Sequence, residues 1–462
     1  MAGDMTMRKA RLAEMSAIVL REELARGAVK AVEVAEACLE RIAEREPEVL
    51  AFQHLDPAYV MHQAAAADRY RGTGRTLGAL HGVPVGLKDI IDTRELPTEN
   101  GTVLDKGRRP REDAAVVDRL REAGAIVMGK TVTTELAVFT PGKTRNPHDA
   151  KRTPGGFSSG SAAAVGASMV PLAIGSQTNG SVIRPASFCG VVGFKPTRGL
   201  ISRRGFCPQS GTLDQVGVFS RSVEDAALIT EALCGYDDRD PLTTPAARPD
   251  LLAIAASRPP VKPSLAFIRT PVWEKAGEEV REGLGELIAA LGEPVEEIEL
   301  SEPFAHAHAW HRTVNMAELA HNYAHYYDRG PALLSDRLRG MVEEGRAIRA
   351  VDYQAAIDRI ALLNAGLDLI FDKYDAIVTP AAPGEAPVGE ATGDPAFSTI
   401  WTYCGVPALT LPLLAGPNGM PVGVQLVGRR LYDGRLLRTA NWLTAKLREQ
   451  EQGADAKVGK VA

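Results

Sequence analysis

Cysteine is scarce. The five present among 462 residues (Cys38, Cys189, Cys207, Cys234 and Cys404) are odd in number, far apart and form no CxxC pair. A disulfide framework and a zinc knuckle are thereby excluded, which fits a reducing compartment. No charge of one sign dominates either: 53 basic against 58 acidic residues leave a net charge of −5, which points away from nucleic acid and membrane-surface partners. No apolar run approaches the roughly 20 residues of a membrane span. The long Ala/Val/Gly stretch at 161–175 is broken by Ser168 and Pro171 and reads as buried. The opening MAGDMTMRKARLAEM places charges where a signal peptide needs an apolar core. A cytoplasmic globular protein acting on small neutral or mildly polar molecules is expected. The low aromatic content, 5%, leaves the substrate undetermined.

What the chain does contain is an alternation of helical and extended patterns. Residues 12–45 carry apolar residues at helical spacing in two runs split near Gly27, and a second helical piece spans about 58–71. HGVPVGLKDIID reads as a turn entering a short buried strand, because Val83, Val85 and Leu87 alternate. An amphipathic helix at 114–123 precedes an apolar strand at 125–130. Helix then strand returns at 223–234 with 264–268, and at 277–291 with VEEIEL. Residues 245–262 read as a Pro/Ala-rich connector and 302–373 as largely helical, while AIVTP, PALTLPLL and PVGVQLVG read as further strands. Such alternation predicts an α/β protein with a mainly parallel sheet and helices on its faces. The expected division is an N-terminal helical segment (1–70), a main domain (71–447) with a helical substrate-side insertion at about 302–373, and a frayed tail (448–462).

Chemistry concentrates in three places: Lys88 in GLKDIID, the turn TPGGFSSGS, and Ser181 in GSQTNGSVIRPASFCG. A serine hydroxyl attacks a carbonyl only when a base takes its proton. Lysine is such a base only where burial or a neighbouring cation lowers its pKa from about 10.4, and Lys88 lies among apolar residues. Read alone, Lys88 is a surface lysine paired with Asp89, and Ser181 is a turn or helix-cap serine. Around Ser181, Asn179 and Gly180 tolerate positive φ, so that successive N–H groups can converge on one spot.

Taken together, these pieces resemble the amidase signature family of serine hydrolases over roughly residues 10–445. The carriers are the Gly/Ser core, PASFCGVVGFKPT, and VGRRLYDGRLLRTANWL near the C-terminus. The resemblance implies an α/β/α sandwich around a large mixed sheet, and metal-free, cofactor-free hydrolysis of a C–N bond by a Ser-Ser-Lys triad. By correspondence Ser181 is the nucleophile, Lys88 the base, and Thr178, Asn179, Gly180 and Ser181 the oxyanion-hole donors. Three departures surround the nucleophile. Gln177 occupies a place where the family often has Asp, Asn179 one where it often has Gly, and Arg184 follows the nucleophile by three positions instead of two. The SVIRP form is closer to stand-alone amidases than to the glutaminase subunit of aminoacyl-tRNA amidotransferases, which is kept as an alternative.

The largest departure is Phe157. It stands 24 residues before Ser181, where the family's bridging serine follows a cis peptide bond and relays a proton. Three readings follow: Ser158 or a water takes over the relay in a slightly altered turn, the enzyme works poorly or has drifted toward another role such as binding, or the chain is an engineered, inactivated variant. We expect the turn to persist, with Gly156–Phe157 cis and Ser158 nearest to Lys88. The predicted activity is hydrolysis of a small amide, or of a carbamate in a urethanase-like reaction.

Other features carry less. His321 and His325 at i, i+4 with Glu318 one turn earlier lack the HExxH order, so no metal is assigned. Trp310, His311 and Tyr326 are instead expected to line the substrate pocket. Neither GTGR (72–75) nor the glycines at 155–160 make a nucleotide loop. A Leu/Trp stripe at 432–448 would suit either a homodimer or packing on the chain's own sheet.

Overall fold

The computed structural model describes residues 9–458. Short β-branched runs punctuated by Gly and Pro form eleven strands: β1 (Phe52–His54), β2 (Pro84–Lys88), β3 (Ile126–Thr131), β4 (Leu172–Gln177), β5 (Val192–Lys195), β6 (Gln215–Ser220), β7 (Leu265–Ile268), β8 (Val295–Ile298), β9 (Ala376–Pro380), β10 (Ala408–Ala415) and β11 (Pro421–Val427). They form one sheet in the order β1-β3-β2-β4-β6-β5-β10-β11-β9-β7-β8. The sheet is mixed. Parallel ladders join β2 to β3 and β4, and β7 to β8 and β9, matching the expected helix–strand alternation. Antiparallel ladders hold the middle, from β4 through β6, β5, β10 and β11 to β9.

Alternate residues of a strand face opposite layers. Leu265 and Phe267 join the larger apolar core with the N-terminal helices, whereas Ala266 and Ile268 join a second core beneath helix Ala350–Phe371 and helix Ala396–Cys404. Two cores on two faces make the α/β/α sandwich. Every residue of β2 to β6 is buried, as strands covered on both faces should be.

Several segments depart in detail from the sequence pattern. The N-terminal segment is helical at Ala17–Arg26, Ala31–Val49 and Pro57–Arg71, but it also supplies the edge strand β1. The connector contains a short helix, Leu251–Ala256. The final helix spans Asp433–Val458, past the point where fraying was expected; residues 459–462, like residues 1–8 of the opening stretch, lie outside the described residues. Its Leu436, Leu437 and Leu443 are buried in the chain's own main core, so intramolecular packing accounts for that stripe. The five cysteines are all free.

The sheet brings the chemistry-bearing segments together. In the β2–β4 ladder Leu87 pairs with Ile174, so Lys88 at the end of β2 comes level with the last residues of β4. The chain then leaves β4 into the 178–182 loop and helix Ile183–Cys189.

Candidate active site

Lys88 is fully buried, and its Nζ donates to the Ser176 hydroxyl at 3.0 Å. Burial lowers its pKa to about 7, against the opposing charges of Asp214 and Cys207. Near neutral pH a large share of the amine is therefore uncharged and able to accept a proton. Ser176 sits inside the GSQTN motif, yet nothing in the sequence gives it a role; its place at the end of β4, level with Lys88, is a matter of register alone.

The Gly156–Phe157 peptide is cis, and the serines beyond it tie the turn to the sheet. Ser158 Oγ donates to Ser176 O (3.2 Å), Ser159 Oγ to Val132 O (3.3 Å) and Ser161 Oγ to Ile174 O (3.0 Å). Here the structure differs from expectation. Ser158 is the residue preceding helix Ser159–Gly166, so its side chain faces the strand on which that helix packs. Its hydroxyl meets the Ser176 main chain, and it is the Ser176 hydroxyl that meets Lys88. Packing here is close: a Cβ on Gly160 would lie 2.3 Å from Ala51 O and from Val132 N. The Phe157 ring is buried edge-to-face on Phe139, with centroids 4.9 Å apart, and the Arg184 guanidinium lies over it at 5.6 Å.

Ser181 is buried, and its Oγ has no hydrogen-bond partner among the described residues. The three carbonyls before it are all held from behind. Thr178 O accepts from His311 Nε2 (2.9 Å), Asn179 O from the Thr402 hydroxyl, and Gly180 O from Arg184 N (3.0 Å). In a trans peptide the C=O of one residue and the N–H of the next point in opposite directions. Tying these carbonyls therefore aims the N–H groups of Asn179, Gly180 and Ser181 the other way, and those N–H groups have no acceptor among the described residues. The loop achieves this without positive φ at Asn179 or Gly180, contrary to the reasoning from their tolerance of it. Gly180 is required for space instead, since a Cβ there would lie 2.8 Å from Pro395 Cβ.

Further side chains brace the loop. Gln177 Oε1 accepts from the N–H groups of Val182 and Ile183 (2.8 and 3.0 Å), while its Nε2 donates to Thr402 Oγ1 (2.9 Å). Thr399 Oγ1 donates to Asn179 Oδ1 (2.8 Å), and Thr178 Oγ1 to Asp214 Oδ1 (2.5 Å). Thr399, Thr402 and Asp214 lie outside every sequence motif singled out. Only folding brings helix Ala396–Cys404 against the loop.

Of the three residues expected to line a pocket, His311 borders the cleft beside this loop, and Trp310 and Tyr326 lie outside it. His311 borders a cleft of about 710 Å³ together with Asn179, Phe139, Arg337, Thr392 and Gly393. Burial lowers its pKa to about 4, so at neutral pH it is an uncharged donor to Thr178 O. Trp310 packs outside this cleft, against His306 and Arg359. Tyr326 is buried and donates to Asp105 Oδ2 at 2.5 Å. Neither borders this cleft, because the helices of this region present several faces and sequence position does not say which one meets the sheet. Glu318, one turn before His321, accepts from Ser210, Thr212 and Tyr353. No helix among the described residues is long and apolar enough to cross a membrane.

Comparison with known proteins agrees with this architecture. The chain is 34% identical to a glutamyl-tRNA(Gln) amidotransferase subunit from Synechococcus sp., over 91% of this chain and 95% of that protein. It superposes on native peptide amidase from Stenotrophomonas maltophilia with a TM-score of 0.82 at 29% identity, covering 94% of this chain and 97% of that one. It also resembles 6-aminohexanoate cyclic dimer hydrolase in complex with substrate, with a TM-score of 0.83 at 26% identity and the same coverage. With residues 33–437 matching the Amidase family, the protein belongs to that family, the amidase signature enzymes.

Proposed function

We propose that the protein is an amidohydrolase in which Ser181 attacks the carbonyl of a small amide or carbamate. Lys88 is the base that receives the Ser181 proton through a hydroxyl link, and Ser176 is the hydroxyl in contact with Lys88. The N–H groups of Asn179, Gly180 and Ser181 stabilise the oxyanion, with Thr178 shaping the start of that loop. The amine leaves with a proton, and water then attacks the acyl–Ser181 ester and frees the acid. The observation that carries this reading is the combination of three tied carbonyls with an unpartnered Ser181 hydroxyl. It describes a rigid donor array beside a free nucleophile.

The test is a panel of p-nitroanilides and esters, with fluorophosphonate labelling of Ser181, on this chain and on Phe157→Ser. Turnover and labelling of Ser181 in this chain are expected. Absence of both in both proteins would sink the hydrolase reading. Activity only in Phe157→Ser would mean that the present chain is inactivated at position 157.

A second reading follows from the amidotransferase relatives: a glutaminase-type subunit that works within a complex on aminoacyl-tRNA. It requires partner proteins, so purification from the native host as a lone chain would eliminate it.

A further inference from the structure

Three side chains outside the site described above converge where the edge strand meets the end of β2. His54 closes β1, Asp89 follows Lys88 at the end of β2, and Glu99 lies in the loop beyond. One ligand atom from each lies within 4.8 Å of the other two. His54 Nε2 stands 3.1 Å from Glu99 Oε2, yet it is buried and forms no hydrogen bond among the described residues. Asp89 is fully buried, and its Oδ1 likewise has no hydrogen-bond partner there. Lys130 Nζ lies 3.4 Å from Asp89 Oδ1 but donates to Ile91 O, Thr98 Oγ1 and Pro97 O. It balances one of the two carboxylate charges and leaves the other. Both carboxylates are held by main-chain donors through their remaining oxygens: Asp89 Oδ2 accepts from Glu99 N (3.2 Å) and Glu99 Oε1 from Gly107 N (2.8 Å). Gln53 Nε2 adds a contact to Glu99 Oε2 at 3.0 Å. A buried carboxylate oxygen without a donor is costly unless a cation or further donors complete it.

We propose that His54, Asp89 and Glu99 bind a divalent transition-metal ion of the zinc type, which ties the edge strand β1 to the end of β2 and to the loop carrying Glu99. Nitrogen and oxygen ligands around a tetrahedral zinc ion stand about 3.4 Å apart, so the His54–Glu99 separation of 3.1 Å needs little adjustment. An imidazole ligand favours zinc over magnesium or calcium, which take oxygen ligands. The His54 and Glu99 side chains keep 24% and 15% of their exposure, so the ion enters from solvent and water completes its coordination. None of the three ligands belongs to the proposed relay. The ion braces the edge of the sheet and takes no part in hydrolysis, and the inference stands whether or not the chain is a hydrolase.

The test is calorimetric titration of Zn2+ and, separately, of Mg2+ into the EDTA-treated, desalted full chain near neutral pH, with Tm followed alongside. A single tight Zn2+ site is expected, and Zn2+ at a hundredfold excess over Kd should raise Tm by about 3 °C for a chain of this length. His54→Gln, at a partly exposed strand end, should weaken Zn2+ binding by about 100-fold or more, and Gln53→Ala, which removes an outer contact to Glu99, by about 10-fold. Glu99→Gln keeps an acceptor for the Gly107 N–H and should show the same loss as His54→Gln, so the result does not depend on one variant folding. His62→Gln removes an exposed histidine elsewhere and should leave the tight site unchanged. Zn2+ binding that persists in both His54→Gln and Glu99→Gln overturns the proposal, and so does equal stabilisation by Mg2+. Absence of tight Zn2+ binding to the wild type also overturns it and leaves the three side chains bridged by water.

Discussion

Lys88, Lys130 and Lys195 are all fully buried, and their partners separate their roles. Lys130 donates to Ile91 O, Pro97 O and Thr98 Oγ1, and Lys195 to Pro196 O, Val406 O and Gln215 Oε1. Their N–H donors are thus occupied. Lys88 has one hydrogen-bond partner among the described residues, and it is a hydroxyl. With its pKa lowered to about 7 by burial, Lys88 is neutral above that pH. A pH profile of kcat/KM is therefore expected to rise through an apparent pKa near 7 and level off above it; a flat profile from pH 5.5 to 8.5 would remove Lys88 as the base. Ser176→Ala and Ser158→Ala divide the relay from the scaffold. Ser176→Ala should lower kcat/KM by roughly 10²- to 10⁴-fold. Ser158→Ala should chiefly lower stability, by about 2 kcal/mol, because the Ser158 hydroxyl both donates to Ser176 O and accepts from Ser176 N. Fluorophosphonate labelling rates beside urea midpoints provide both readouts.

Among the elements, helix Ala396–Cys404 acts on the site without lining the nucleophile. Its Thr402 receives the Gln177 amide and donates to Asn179 O, while Thr399 holds the Asn179 side chain. The helix thereby sets the direction of the N–H groups that would meet the oxyanion. Losing a donor outright costs about 3–4 kcal/mol of transition-state stabilisation, and misdirecting one costs less. Thr402→Val should lower kcat by roughly 10- to 100-fold with little change in KM, because the geometry matters most in the transition state. Thr402→Ser keeps the hydroxyl and should restore most of kcat. An unchanged kcat in Thr402→Val would show that the loop holds its shape alone.

For the whole molecule, burying lysines of lowered pKa makes stability depend on pH. The folded protein releases the Lys88 proton near pH 7, whereas the unfolded chain keeps it to about 10.4. Between those values the unfolded state binds more protons, so stability rises with pH, and the burial penalty is fully present below pH 7. Lys88→Met, which replaces a buried cation with an apolar side chain of similar length, should abolish turnover yet raise Tm. The gain should be larger at pH 6 than at pH 9, by roughly 3 kcal/mol on the basis of about two pH units at 1.4 kcal/mol each. Thermal unfolding of both proteins at the two pH values is the measurement, and a gain that grows with pH would contradict the assignment.

Much of this protein is written locally. Helix and strand periodicity placed the principal elements, because the apolar face that each buries repeats at a fixed spacing along the chain. The Gly/Ser core and the GSQTNGS motif marked the 155–161 turn and the Ser181 loop, because close backbone approach demands small residues in a set order, whereas Lys88 was singled out through the family resemblance. The Lys88–Ser176 contact and the bracing depended on tertiary structure. The β2–β4 register brings Ser176 to Lys88, the start of a helix turns Ser158 toward the strand, and helix Ala396–Cys404 arrives about 220 residues after the loop it holds. Phe157 shows the same division. Its sequence position reveals what is missing from the turn, while its two neighbours, Phe139 and Arg184, are assembled only when the sheet brings separate segments within a few ångströms, where hydrogen bonds and ring contacts act.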